Sequence, residues 1–194
     1  MNGRHDWRRV SQCLWASATS IRGKTALNDL YADLKDFFVT SLGVAELNLT
    51  MVHDELIEKG AARQASVAEI KETLQAFTSL LPSENPPPSP KKILESRIFP
   101  VRYPNGQVEL RTSRVEFAIV DRQRLGDAFS SKAQLLDFTL DEVRQLRPFL
   151  RWAGLERRYL SRTVKEISRV EGGDPTRILD QDRSVSRKAH GLFR

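Results

Sequence analysis

Cysteine is almost missing from this chain: 194 residues contain one, Cys13. No intramolecular disulfide can form, and a reducing compartment is the natural setting. Histidine is scarce too. His5, His53 and His190 are spread from end to end, so no Cys/His cluster has zinc spacing. No stretch approaches the roughly 18 to 20 consecutive apolar residues that a membrane-spanning helix needs. The charged start, residues 1–9, is followed by no apolar signal core. Internal repeats and sustained heptads are also missing. These absences exclude disulfide-stapled, zinc-organised, membrane-spanning and solenoid classes. They predict a soluble intracellular protein, cytoplasmic or nuclear, with no membrane partner and no bound cofactor.

What is present is ordinary in amount and uneven in placement. Hydrophobic residues make up 40% and charged residues 29%, enough apolar material for a packed core and too much for wholesale disorder. The net charge of +6 is not shared evenly. Residues 1–81 carry 9 Lys and Arg against 10 Asp and Glu, while residues 82–194 carry 22 against 15. The basic surplus lies in the second half and is mostly arginine, the better bidentate partner for carboxylate or phosphate.

The first half reads as three amphipathic helices. Leu27, Leu30, Tyr31, Leu34, Phe37, Phe38 and Leu42 recur at three- and four-residue steps over 26–42, with Thr25 as N-cap and Gly43 as stop. A shorter helix over 51–59 follows Thr50 and ends at Gly60. A third begins at the capping box Ser66-Val67-Ala68-Glu69 and runs to Pro82. Residues 82–92 then hold five prolines between Pro82 and Pro90. They form a stiff surface connection, or alternatively a ligand for a proline-binding module.

Beyond the prolines the hydrophobic period changes to two. Residues 98–101 and 108–110 flank Asn105-Gly106, the strongest short hairpin signal. Phe117 to Val120 predicts a third strand and Leu135 to Phe138 a fourth. Thr139-Leu140-Asp141-Glu142 is a second capping box, opening a helix to Trp152 that Pro148 must kink or shorten. Another helix is expected over 155–167, then a break at Gly172-Gly173 and a cut-short C-terminal helix. The fold class is α+β: a three-helix N-terminal layer, a small antiparallel sheet with a hairpin, and C-terminal helices. The divisions are a helical part at 1–81, a Pro-rich linker at 82–92, a small α+β part at 93–170, and the tail at 171–194. The two halves need not be independent, because each is near the size where a core becomes marginal. Phe37, Phe38, Leu74, Phe77, Phe117, Ile119, Leu146 and Phe149 are the expected core.

Chemistry is thinly signalled. Ala18-Thr19-Ser20-Ile21-Arg22-Gly23-Lys24-Thr25 is a relaxed phosphate-loop pattern, and Asp121 ends an apolar strand as a magnesium-binding Asp would. Gly23, Lys24, Thr25 and Asp121 are therefore the candidate nucleotide residues. The pattern lacks its first glycine, however, and β-branched Ile21 resists the positive φ that a phosphate-wrapping backbone uses. Thr25 as a helix cap and Asp121 as a turn former are the plainer readings. Arg144, Arg147 and Arg151 share one helical face, with Arg157 and Arg158 close by, a surface suited to phosphates or to an acidic partner.

Scattered phrases carry a family likeness. Cys13-Leu14-Trp15, Leu27-x-x-Leu30-Tyr31 and Phe37-Phe38-Val39-x-x-Leu42-Gly43-Val44 are followed by Asp137-Phe138, Gly154-Leu155, Arg158-Tyr159-Leu160-Ser161 and Val164-Lys165-Glu166. Over roughly residues 11–194 the chain resembles an internal region of very large fungal proteins that carry an Hsp90-like ATPase domain near the N-terminus. Those proteins are loosely similar to NO VEIN and sacsin-type proteins. The resemblance implies a non-catalytic region downstream of the ATPase and a fragment or shortened relative of the longer chain. It carries over no functional residue, and Gly23-Lys24-Thr25 is not part of the shared pattern. The leading expectation is a structural or protein-interaction module with a protein partner. A degenerate phosphate-loop nucleotidase and a basic nucleic-acid-binding module are the alternatives.

Overall fold

The structure is a computed structural model that describes residues 7–16, 23–27, 31–62 and 65–164. Residues 171–194 of the expected tail, Leu30, and Ala18 to Arg22 of the phosphate-loop pattern lie outside the described residues.

Two long helices form the first layer, α1 (Leu49–Ala61) and α2 (Val67–Leu80). Asn48, not Thr50, caps α1: its side-chain oxygen accepts from the Met51 N–H at 3.0 Å. The predicted box opens α2, where the Glu69 N–H donates to Ser66 Oγ at 3.2 Å and the Ser66 N–H donates back to Glu69 Oε2 at 2.9 Å. These reciprocal bonds satisfy donors that a helix start leaves unpaired. Gly60 does not stop α1 but lies inside it, buried against residues 96–98. A third, short helix, α3 (Lys91–Glu95), follows the prolines.

The predicted helix over 26–42 takes a different form. Thr25–Ala26 is a strand, β2, paired in parallel with β1 (Cys13–Leu14). Trp15 continues β1 by bridging Glu46. Helical structure is resolved from Tyr31, tightening to a 3₁₀ turn at Ala32–Leu34 and widening to a π turn at Phe37–Ser41. The Leu42 N–H donates to the Phe37 carbonyl, a five-residue step. Each change of pitch rotates the apolar stripe off a single face. Phe37 is consequently 51% exposed rather than in the core, and Phe38 is half-buried in a small satellite cluster with Cys13, Trp15, Leu27 and Val44.

The second sheet has three strands, antiparallel throughout, with β3 (Phe99–Arg102) at the centre between β4 (Val108–Arg111) and β5 (Leu135–Leu136). Its hairpin joins β3 to β4, with Gly106 at φ +85° in the turn, the left-handed conformation that favours glycine. Strand β5 is shorter than the predicted strand. Phe117 to Val120 adds to the sheet through single-residue parallel bridges, Ala118 to Leu135 on one side and Ile119 to Tyr159 on the other. Helix α4 (Gln123–Phe129) precedes β5. After the second capping box come α5 (Leu140–Gln145) and α6 (Arg147–Trp152), split at Leu146 with Pro148 in the first turn of α6. The helix expected over 155–167 is interrupted because Tyr159 is extended (ψ 132°), which lets the Ile119 N–H donate to the Arg158 carbonyl at 2.8 Å. Helix α7 (Leu160–Thr163) begins immediately after it.

One core joins both halves. Leu14, Val52, Leu56, Ile70, Leu74 and Phe77 belong to the same buried cluster as Ile98, Phe99, Phe117, Ile119, Leu146 and Phe149. The proline segment crosses the outside of this core. It is also fastened to it, because the Trp152 indole N–H donates to the Pro88 carbonyl at 2.9 Å. Residues 82–92 are thus a strap over a shared core, and Pro88 and Pro90 are half-buried.

Candidate functional site

Two of the phosphate-loop candidates, Thr25 and Asp121, take structural roles in the fold. A phosphate-wrapping loop delivers its Lys-Thr pair onto the first turn of a helix, where free N–H groups face the ligand. Here Gly23 (φ +67°) and Lys24 lead into β2, and Thr25 pairs with Cys13 as a strand residue. Thr25 is neither a phosphate-loop threonine nor the predicted helix cap. Asp121 is occupied elsewhere. Its Oδ1 accepts the Ser161 N–H at 3.1 Å and its Oδ2 accepts the Ser161 hydroxyl. The carboxylate thereby ties the end of the 117–120 segment to the opening turn of α7, a position that suits a negative charge.

The five arginines also divide. Arg144 pairs with Asp141 at 2.8 Å and Arg151 with Glu156 at 3.5 Å, all near the surface. Such pairs hold their charges in place but contribute little stability. Arg147 is exposed. It lies near the Tyr159 hydroxyl without hydrogen-bonding geometry to it, and that hydroxyl is buried with no partner. Arg158 turns inward: its guanidinium donates to the Val115 carbonyl at 2.8 Å and the Ser113 carbonyl at 2.6 Å and lies 4.4 Å from the Phe117 ring centre. Burial lowers its pKa, with neighbouring Arg157 adding to the effect and Glu116 opposing it. Arg158 is a structural clamp, not one member of a free arginine face.

The feature that sequence reasoning missed is apolar. Tyr31, Leu34, Phe37 and Leu42 are each between 42% and 51% exposed. Phe38 lies beneath two of them, its ring 5.1 Å from Tyr31 and 5.4 Å from Phe37, and it also stacks 6.1 Å from Trp15. Asp33 and Asp36 are exposed beside them, and Lys35 is tied to Glu46. Regular helical periodicity assigns all these apolar residues to the interior, whereas the 3₁₀ and π turns change the pitch along the segment. Scattered exposed apolar residues are normal, whereas four on one short segment single that segment out.

The fold defines an α+β protein in which two helices and a small extended sheet share one core, and among the described residues no group of three acidic, His or Cys side chains could hold a metal ion. No helix of the described residues is long and apolar enough to cross a membrane. The chain belongs to a family described as a domain of unknown function, DUF8348, whose model matches residues 50–164. No curated protein and no solved structure matches the chain. The arginines and Asp121 fall inside the family region, whereas Gly23 to Thr25 and the apolar group precede it.

Proposed function

We propose that this protein is a non-catalytic interaction module that engages a protein partner through Tyr31, Leu34, Phe37 and Leu42. The observation that carries this reading is the exposure of four large apolar side chains on a segment that has its own small core and an acidic fringe. Burying such a surface would release ordered water at about 25 cal/mol per Å² of apolar area, which favours association. The likeness to regions downstream of an Hsp90-like ATPase fits a module that works beside such an engine, in an intracellular setting consistent with one unpaired cysteine.

A photo-crosslinker at position 34, in the cells of origin, should yield one dominant protein adduct. Phe37→Glu should abolish that adduct while leaving the melting temperature within a degree or two, since an exposed site costs at most roughly 0.5 kcal/mol. The reading fails if no adduct forms, or if purified protein hydrolyses nucleotide, ester or peptide in a manner that one substitution removes. A reading frame that places an Hsp90-like ATPase immediately upstream would support the chaperone-like context, and a frame without one would remove it.

A further inference from the structure

At one end of the sheet, positive charge accumulates with little to neutralise it. Residues 116–118, 132–134 and 157–158 lead into the segments joined by the Ala118–Leu135 and Ile119–Tyr159 parallel bridges. Parallel direction puts their entering ends side by side, and together they wall an open groove of about 710 Å³, a volume in the range of small-molecule sites. Lys132, Arg157 and Arg158 line it against one acid, Glu116.

The three cations are of two kinds. Lys132 and Arg157 are exposed, and neither makes an ion pair or a side-chain hydrogen bond among the described residues. Arg158 is immobilised by the Ser113 and Val115 carbonyls and by the Phe117 ring. A fixed guanidinium beside two unpaired cations gives the groove a positive field that suits an anion, with one of its three charges already held in place. The like-charge neighbour Arg157 already disfavours the charged state of Arg158, a repulsion that an anion between them would relieve. Gln134 stands on the same wall, and its side-chain oxygen is buried with no hydrogen-bond partner. Unpaired buried acceptors are rare and costly, so a ligand hydroxyl that reached this oxygen would supply its missing donor. Glu116 at the rim also accepts from hydroxyls, and it repels a continuous polyanion.

We propose that this groove binds a small phosphate monoester carrying hydroxyl groups, the chemistry shared by sugar phosphates and nucleoside monophosphates. The phosphate sits between Lys132 and Arg157 under the fixed charge of Arg158, and a ligand hydroxyl pairs with Gln134.

The full chain would be titrated calorimetrically with inorganic phosphate, ribose 5-phosphate, AMP and mixed-sequence duplex DNA. Both esters should bind, each roughly tenfold or more tighter than inorganic phosphate, a difference of one decade in Kd. AMP tighter than ribose 5-phosphate assigns the groove to nucleotides, and equal affinities assign it to the sugar phosphate. The double variant Lys132→Ala/Arg157→Ala removes two exposed, unpaired side chains and should retain its fold while losing roughly tenfold or more in ester affinity. Gln134→Leu should weaken the esters and leave inorganic phosphate unchanged. Arg144→Ala, outside the groove, should change nothing. No binding at millimolar ester, esters no tighter than inorganic phosphate, unchanged affinity in the folded double variant, or binding of DNA alone would each overturn the proposal.

Discussion

Phe77 and Phe149 come from opposite sides of the proline segment, and their rings meet edge to face with centres 5.9 Å apart. Phe77 is fully buried and Phe149 is 1% exposed. Trp152 lies 5.0 Å from the first ring and 5.8 Å from the second, and Phe99 lies 6.3 Å from Phe149. Truncating either ring to Ala should cost about 3–5 kcal/mol. That is a large part of the roughly 5–15 kcal/mol that holds a domain folded, and the double truncation would leave nothing folded to measure. Phe77→Leu, Phe149→Leu and their combination are the better cycle, each single change costing roughly 1–2 kcal/mol within the usual spread for core substitutions. An edge-to-face pair contributes about 0.5–1.5 kcal/mol beyond the area it buries, so the double variant should lose less than the sum of the singles by that amount. Urea unfolding would be followed by far-ultraviolet circular dichroism, dominated by the helices, and by tryptophan fluorescence. If the halves share one core, both probes report one transition, and each variant moves its midpoint at unchanged slope. Two separate transitions, with Phe77→Leu moving only one, would refute the shared core. Additivity within roughly 0.3 kcal/mol would refute the ring contact itself.

Gly60→Ala should destabilise even though alanine is the better helix former by about 1 kcal/mol, because the new Cβ would lie 3.0 Å from Ile98 Cγ2 and Ser96 Cβ and 3.1 Å from the Arg97 backbone nitrogen. Overpacking of this kind costs roughly 1–3 kcal/mol; a raised melting temperature would show that α1 does not press on residues 96–98. Burial, then Glu156, raise the Tyr159 phenol above its ordinary range, against Arg147. Its contribution is therefore fully present below the unfolded value near about 10 and is lost as pH rises from there through the folded value. Tyr159→Phe should flatten the alkaline loss of stability in a pH series of urea titrations and be nearly neutral at pH 7, since no hydrogen bond is given up. A loss above roughly 1 kcal/mol at pH 7 would reveal a partner for that hydroxyl.

Local signals carried most of the fold. Both capping boxes, the Asn105-Gly106 hairpin and the Pro148 interruption act within a few residues, so their chemistry is visible in the string itself. The failures came where distant pairing outvoted local preference. Thr25 joined Cys13 in a strand, and Tyr159 left a helical pattern to bridge Ile119. Phe37 lies outside because one wide turn changes which face a residue occupies, whereas periodicity assumes constant pitch. The site residues are hidden by the same cause. Asp121, Arg158 and the prolines were legible as residue types, but their partners Ser161, the Ser113 and Val115 carbonyls, and Trp152 lie tens of residues away. The groove at Lys132, Gln134 and Arg157 has no motif at all. It arises from three segments entering the sheet side by side.

Leu14 is wholly buried and belongs to the main core, not to the satellite cluster that surrounds its neighbours Cys13 and Trp15. The family region starts at residue 50, so an essential stopper for its interior is supplied from outside its own boundary. A recombinant piece cut to residues 50–164 would expose the apolar surface that Leu14 and Ala16 cover, and it should aggregate or recruit a substitute strand. Boundaries for producing this protein belong ahead of residue 13. In other members of the family, the stretch before the matched region is the place to look for a residue that fills the same vacancy.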